Sequence, residues 1–165
     1  MNAFWAYFLP MLGIGFVAGA FGASIGYLRP AKRKAGWIGA IVAALAATML
    51  WHGPLGAADR FSAEVEAMAR MSLNSWDMPQ VSVHLHHGPL TRRVLLSGPA
   101  DDFQRSELMK IIETVPGVSR ASWKDTAGVP LLVEALVAGV VGFLFGWLLA
   151  YLVELHRRHN AQWNW

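Results

Sequence analysis

Three neighbouring histidines, His84, His86 and His87, come nearest in this sequence to the spacing of a metal site. Residues two apart in a strand point to the same face, so the His84 and His86 imidazoles could bind one ion together. A closed metal site needs further ligands in a suitable geometry. The alternative is a solvated or lipid-facing strand surface beside a basic hairpin, and this is the interpretation we favour. We therefore predict neither a bound metal nor a cofactor.

Other catalytic chemistry has little support in the sequence. The chain has no cysteine, which excludes disulfides, thiolate metal sites and cysteine nucleophiles. Gly-x-Ser-x-Gly, His-Glu-x-x-His and phosphate-binding glycine loops are also absent. Glu134 lies just inside an apolar stretch, where a charged residue indicates function. A proton relay would need ionisable groups deeper in the stretch, so Glu134 is predicted to reach a headgroup or a partner's cation. We predict that the protein is not an enzyme.

The segment from Phe61 to Lys124 is the one long stretch polar enough to fold in water. Its hydrophobic period alternates between that of a helix and that of a strand, which predicts a small α/β domain. The predicted order is α-β-β-α-β, a three-stranded sheet covered on one face by two helices. The elements would be a helix capped by Ser62, strands at 80–86 and 91–97, a helix opened by an Asp101–Gln104 capping box, and a strand at 118–124.

The apolar positions of these elements predict the core of a domain that folds without a membrane. The core residues would be Val65, Met68, Val83, Leu85, Val94, Leu96, Leu108, Ile111, Ile112, Val115 and Val118.

The same segment resembles the BON domain. The run Val94-Leu-Leu-Ser-Gly98, a helix containing Arg105, and the turn Val115-Pro-Gly-Val118 follow that family's pattern in order and spacing. The hairpin from His86 to Arg93 is longer and more basic than in the family, and the chain has one copy where many members have two. The resemblance implies a bacterial envelope protein that binds or scaffolds, with phospholipid or other envelope components as partners.

The rest of the chain is too apolar for a soluble protein. Hydrophobic residues make up 55% of the 165 residues, and the mean hydropathy is +0.35. Three stretches are long enough to cross a bilayer of about 30 Å. We predict a membrane protein with three transmembrane α-helices, at 1–28, 36–55 and 128–155, and with the BON-like domain at 56–127 between the second and third.

Glycines at helix-packing spacing occur in the first and third predicted spans. Small residues let membrane helices approach closely, so both faces predict a neighbouring helix. Three short spans would leave part of these faces to a partner. The residues are Gly15, Gly19, Gly22 and Gly26 in the first span and Gly139, Gly142 and Gly146 in the third.

Two basic clusters predict the topology. Short positive loops stay in the cytoplasm, which places the loop at 29–35 and the tail at 156–165 on that side. The N-terminus and the domain at 56–127 would then be periplasmic. Such a tight loop offers no surface for nucleic acid, and we predict no nucleic-acid partner. The cations are Arg29, Lys32, Arg33 and Lys34 in the loop, and Arg157 and Arg158 in the tail.

Two functions remain open. The favoured one is a non-catalytic accessory or assembly subunit of a larger bacterial inner-membrane complex, respiratory, photosynthetic or transport, with other integral membrane subunits as partners. The alternative is a stand-alone envelope protein that tethers or senses phospholipid or cell-wall material through its domain. A tether needs one anchor, whereas this chain has three predicted spans, two of them glycine-ridged. A channel ranks below both, because no span carries the polar stripe of a pore.

Overall fold

The structure, a computed structural model, describes residues 2–163 and divides into two compact units. One unit contains the residues up to Tyr7 together with Leu55–Glu134. The other contains Phe8–Pro54 and the chain from Ala135 onward. The first therefore holds the polar segment with the beginnings of two long helices, and the second holds most of the apolar sequence.

Three helices are long and apolar enough to cross a bilayer. They are α1 (Ala3–Leu28), α2 (Arg33–His52), which a short 3₁₀ turn at Pro30–Lys32 joins to α1, and α5 (Leu131–Trp163). The 26 residues of α1 span about 39 Å at 1.5 Å per residue, more than the roughly 30 Å of a hydrocarbon core. The predicted number of apolar helices is confirmed. Helix α5 extends into the predicted tail at 156–165, as far as Trp163, the last residue that the structure describes.

The polar segment forms the predicted order of elements. We call Ala57–Ser122 the sheet domain: α3 (Ala57–Ser75), β1 (Ser82–His87), β2 (Leu90–Ser97), α4 (Asp102–Glu113) and β3 (Arg120–Ser122). Strand β2 is central, antiparallel to β1 and parallel to β3. Helix α3 packs mainly on β1 and α4 on β3. Val83 and Leu85 alternate with exposed or half-buried neighbours, so one face of the sheet is buried.

The start of α3 differs from the sequence prediction. Ser62 does not cap the helix; it lies in its second turn, where its hydroxyl donates to the Asp59 carbonyl. The helix starts instead after Gly56, which has a φ of +67°, a left-handed conformation that favours glycine. The sequence prediction placed the start too late because serine is a common capping residue. Serine is also tolerated inside helices, and Ser62 is such a case.

The capping box of α4 is confirmed. The Asp101 carboxylate accepts from the Gln104 backbone N–H at 2.7 Å, and the Gln104 side chain accepts from the Asp101 N–H at 3.1 Å. After α4, Gly117 takes a φ of +105° and passes close under α3, where an added Cβ would lie 2.7 Å from Val65 Cγ2. The Pro-Gly turn therefore needs its glycine for both backbone conformation and space.

Most of the predicted core is buried. Met68, Ile111 and Val118 are the exceptions, since each is only half-buried. The α4 residue that reaches the centre is Ile112, with no exposed surface. The helical period of the sequence did not show which of the adjacent residues Ile111 and Ile112 points into the core. It also did not find the core members Phe61, Leu73, Val81 and Ala121.

Candidate functional site

The glycines of α1 and α5 face each other inside one unit. A Cβ added to Gly15 would lie 2.8 Å from the Gly139 carbonyl carbon, and one added to Gly19 would lie 2.8 Å from the Phe143 carbonyl carbon. Gly142 and Gly146 meet the α1 backbone equally closely, at Leu12 and Phe16. Such distances leave no room for a side chain, so these glycines bring the two backbones into direct contact. These four glycines are therefore already occupied by contacts within the chain.

The remaining α1 glycines meet α2. A Cβ on Gly22 would lie 2.7 Å from the Cβ of Ala40, and one on Gly26 would lie 3.1 Å from Cγ of Arg33. Helix α2 has only two buried residues, Ala40 and Thr48, although it is apolar along its length. Among the three long helices α2 therefore has the smallest buried share, since only 11% of its most apolar stretch is buried.

An open groove lies between α2 and α5. It encloses about 340 Å³, and its lining includes Ala44, Thr48 and Gly139. Gly139 is the loosest of the predicted packing glycines, since an added Cβ would be 3.9 Å from its nearest neighbour, the Met11 carbonyl oxygen. Thr48, only 3% exposed, is a polar residue in an apolar helix, a type that membrane helices use to hold one another. Its lone hydroxyl in α2 was the sequence signal for this groove, and sequence reasoning missed it.

The histidines do not converge on a metal site. Between residues 2 and 163 no group of three or more His, Cys, Asp or Glu side chains is placed to hold an ion. His86 Nε2 lies 3.2 Å from an Asp125 carboxylate oxygen and its Nδ1 lies 3.1 Å from the Pro89 carbonyl. His87 Nε2 lies 3.4 Å from a Glu66 carboxylate oxygen. An irregularity in the pairing of β1 with β2 shifts the register between Leu85 and His87. His84 is exposed on the strand. The arrangement ties the hairpin to its neighbours.

Glu134 meets a cation of its own chain. Its carboxylate lies 2.5 Å from Nε of Arg92, and both side chains are largely buried, with 24% and 20% exposed. The Arg92 guanidinium also lies over the Phe4 ring, 5.2 Å from its centroid. Tyr7 packs on Phe61 in the same unit, with ring centroids 5.4 Å apart. Strand β2 is thereby joined to the first turns of α1 and α5.

The predicted topology cations divide into two kinds. Arg157 and Arg158 are each paired with Glu154, at 3.0 and 2.7 Å. The loop cations Arg29, Lys32, Arg33 and Lys34 are all exposed. In the described part of the chain, no ion pair joins any of these four to a carboxylate.

What the arrangement offers chemically is surface and packing: uncovered apolar grooves, half-buried ion pairs and a small sheet. Comparison of the chain with models of protein families, with curated proteins and with solved structures gave no match.

Proposed function

We propose that the protein is a non-catalytic accessory or assembly subunit of a larger complex in the bacterial inner membrane. Helices α1, α2 and α5 would cross the membrane. The sheet domain, a BON-like domain in this proposal, would contact partner subunits on the periplasmic side. The partners are other integral membrane proteins, of a respiratory, photosynthetic or transport complex.

The observation that carries the proposal is the open groove between α2 and α5. Lipid tails are as apolar as leucine, so a membrane helix gains little by covering ordinary apolar side chains. Five of the eight residues that line this groove are large and apolar, but Ala44 and Gly139 let another backbone come close beside Thr48, which offers it a hydroxyl. Since most ridge glycines already pack within the chain, the contact with a partner helix falls on this groove.

The proposal predicts that Gly139→Leu releases the protein from its complex. An added Cβ would lie 3.9 Å from the Met11 carbonyl oxygen and 4.0 Å from the Thr48 hydroxyl, ordinary contact distances. We therefore expect the chain still to fold, while the larger side chain in the groove wall blocks a partner helix. The measurement is the size of the native protein in mild detergent, by native gel electrophoresis, with identification of co-purifying proteins. Val137→Leu is the control, since Val137 is exposed on α5 and does not line the groove between α2 and α5.

Gly142→Leu would not serve this purpose. Its Cβ would lie 2.9 Å from the Leu12 carbonyl carbon, so the variant disturbs the packing of α1 on α5 whether or not a partner exists. If the wild type runs as a lone monomer and Gly139→Leu behaves identically, the subunit proposal fails. A tether that contacts phospholipid or cell-wall material through its domain would then take its place.

A further inference from the structure

A second, larger groove runs along α1 and α2. It encloses about 700 Å³, within the range of about 300–1,000 Å³ typical of small-ligand sites. Every α2 residue in its wall, from Ala35 to Ala47, is alanine or glycine, and the α1 wall carries larger side chains such as Val17 and Phe21. Gly13 and Gly39 line the groove with nothing within 4 Å of an added Cβ. The groove is therefore apolar, has a flat wall on the α2 side, and has room for further atoms beside both glycines.

The groove is about as long as one membrane leaflet is thick, and it begins near the basic loop. From Gly13 to Ile25 on α1, and from Ala35 to Ala47 on α2, it extends for about 18 Å at 1.5 Å per residue. Half of a hydrocarbon core of about 30 Å is a similar length. Ile25 and Ala35 lie near the ends of the two helices at the basic loop, so the groove starts at that loop and runs along half of α1 and about two thirds of α2.

The loop end of the groove is strongly positive. Arg29, Lys32, Arg33 and Lys34 are exposed there, and no Asp or Glu occurs in the sequence before Asp59. The Arg33 stem passes beside Gly26, next to the groove residue Ile25, and the indole nitrogen of Trp37 lies on the same side. Several cationic side chains and an indole N–H donor therefore lie at the loop end of the apolar groove, where a lipid headgroup could meet them.

We propose that this groove binds an anionic phospholipid, with its acyl chains between α1 and α2 and its phosphate at the basic loop. The proposal rests on the membrane location proposed above. Charge complementarity selects the headgroup, since a zwitterionic lipid would leave the four cations less well matched. The exposed cations at one end of this groove and the open space beside Gly13 and Gly39 favour a lipid with an anionic headgroup over a partner helix.

The experiment uses the full-length protein in phosphatidylcholine vesicles that contain some phosphatidylglycerol. Spin-labelled forms of the two lipids are added in turn, and electron spin resonance gives the fraction of each that the protein immobilises. We expect the wild type to immobilise phosphatidylglycerol preferentially. Arg33→Gln should lower this preference about fivefold, the effect of one cation near a membrane surface, while leaving three cations in the loop.

Variants that fill the groove separate this site from general attraction by the loop. Gly39→Leu and Gly13→Leu keep all four cations and place a side chain in the open space, so the preference for phosphatidylglycerol should be lost. Ala46→Leu places the same side chain at an exposed α2 position outside both grooves and should keep the preference.

Two results would overturn the lipid site. One is immobilised lipid without headgroup preference in the wild type. The other is a preference for phosphatidylglycerol that survives in both groove-filling variants. If these variants also leave a larger assembly, the groove holds a partner helix instead of a lipid. If no lipid of either kind is immobilised, the membrane location itself is wrong and the lipid site falls with it.

Discussion

Arg92 contacts side chains from two helices that are far apart in the sequence. It pairs with Glu134 in the first turn of α5 and covers the ring of Phe4 in the first turn of α1. The sequence indicated Glu134, because a carboxylate inside an apolar stretch is unusual. It could not identify the partner, since Arg92 is one of eight basic residues between Asp59 and Asp125 and pairing depends on the fold.

Loss of the Arg92 charge should destabilise the first unit. Arg92→Gln leaves the Glu134 carboxylate about three-quarters buried without its cation. The pair is neither fully exposed nor fully buried, so we expect a loss of about 1–3 kcal/mol, between the values typical of those two cases. The measurement is thermal unfolding of the full-length protein in mild detergent. Arg120→Gln, at an exposed position on β3 of the same sheet, should change stability by less than about 0.5 kcal/mol.

A double variant tests whether the effect comes from the pair. Arg92→Gln with Glu134→Gln removes both charges, so it should be more stable than the sum of the two single losses predicts. Additive losses would show that each side chain acts through other contacts.

Helix α4 shows which features of the elements could be predicted. Its capping box was predicted correctly because Asp101 and Gln104 are three residues apart and act within one turn. Its inner face was predicted only approximately, because Ile111 and Ile112 both fit a helical period and the choice depends on where α4 lies against the sheet. For the same reason the parallel pairing of β3 with β2 could not be derived from local pattern.

The two isoleucines should differ strongly on truncation. Ile112→Ala creates a cavity at a position with no exposed surface and should cost about 2–5 kcal/mol. Ile111→Ala, the matched control on the same helix, should cost clearly less because its side chain is half-exposed to begin with. Hydrogen exchange of the β1 and β2 amides in the full-length protein reports the difference. Equal protection in the two variants would contradict this assignment of the core.

Helix directions in the apolar unit follow from its glycine contacts. Gly15 meets Gly139 and Gly19 meets Phe143, four residues further along both helices, so α1 runs parallel to α5. Gly22 meets Ala40 and Gly26 meets Arg33, so α1 and α2 are antiparallel. The loop cations, including Arg33, and the Glu154–Arg157–Arg158 group then lie toward the same end of the unit. Sequence charge predicted this by the positive-inside rule, and the packing is consistent with it.

We therefore expect the N-terminus and the sheet domain on the periplasmic side, and the Arg29–Lys34 loop and the end of α5 in the cytoplasm. Both basic clusters favour that orientation, and an odd number of crossings places the two termini on opposite sides. The labelling experiment follows from the absence of cysteine, since single cysteines can be introduced without background.

Asn74→Cys in α3 and Gln162→Cys in α5 replace exposed residues. In intact cells whose outer membrane has been made permeable, an impermeant thiol reagent should label Asn74→Cys alone, and disruption of the inner membrane should make Gln162→Cys equally reactive. Labelling of Gln162→Cys but not Asn74→Cys in intact cells would reverse the orientation, and would place the basic loop and its groove in the outer leaflet.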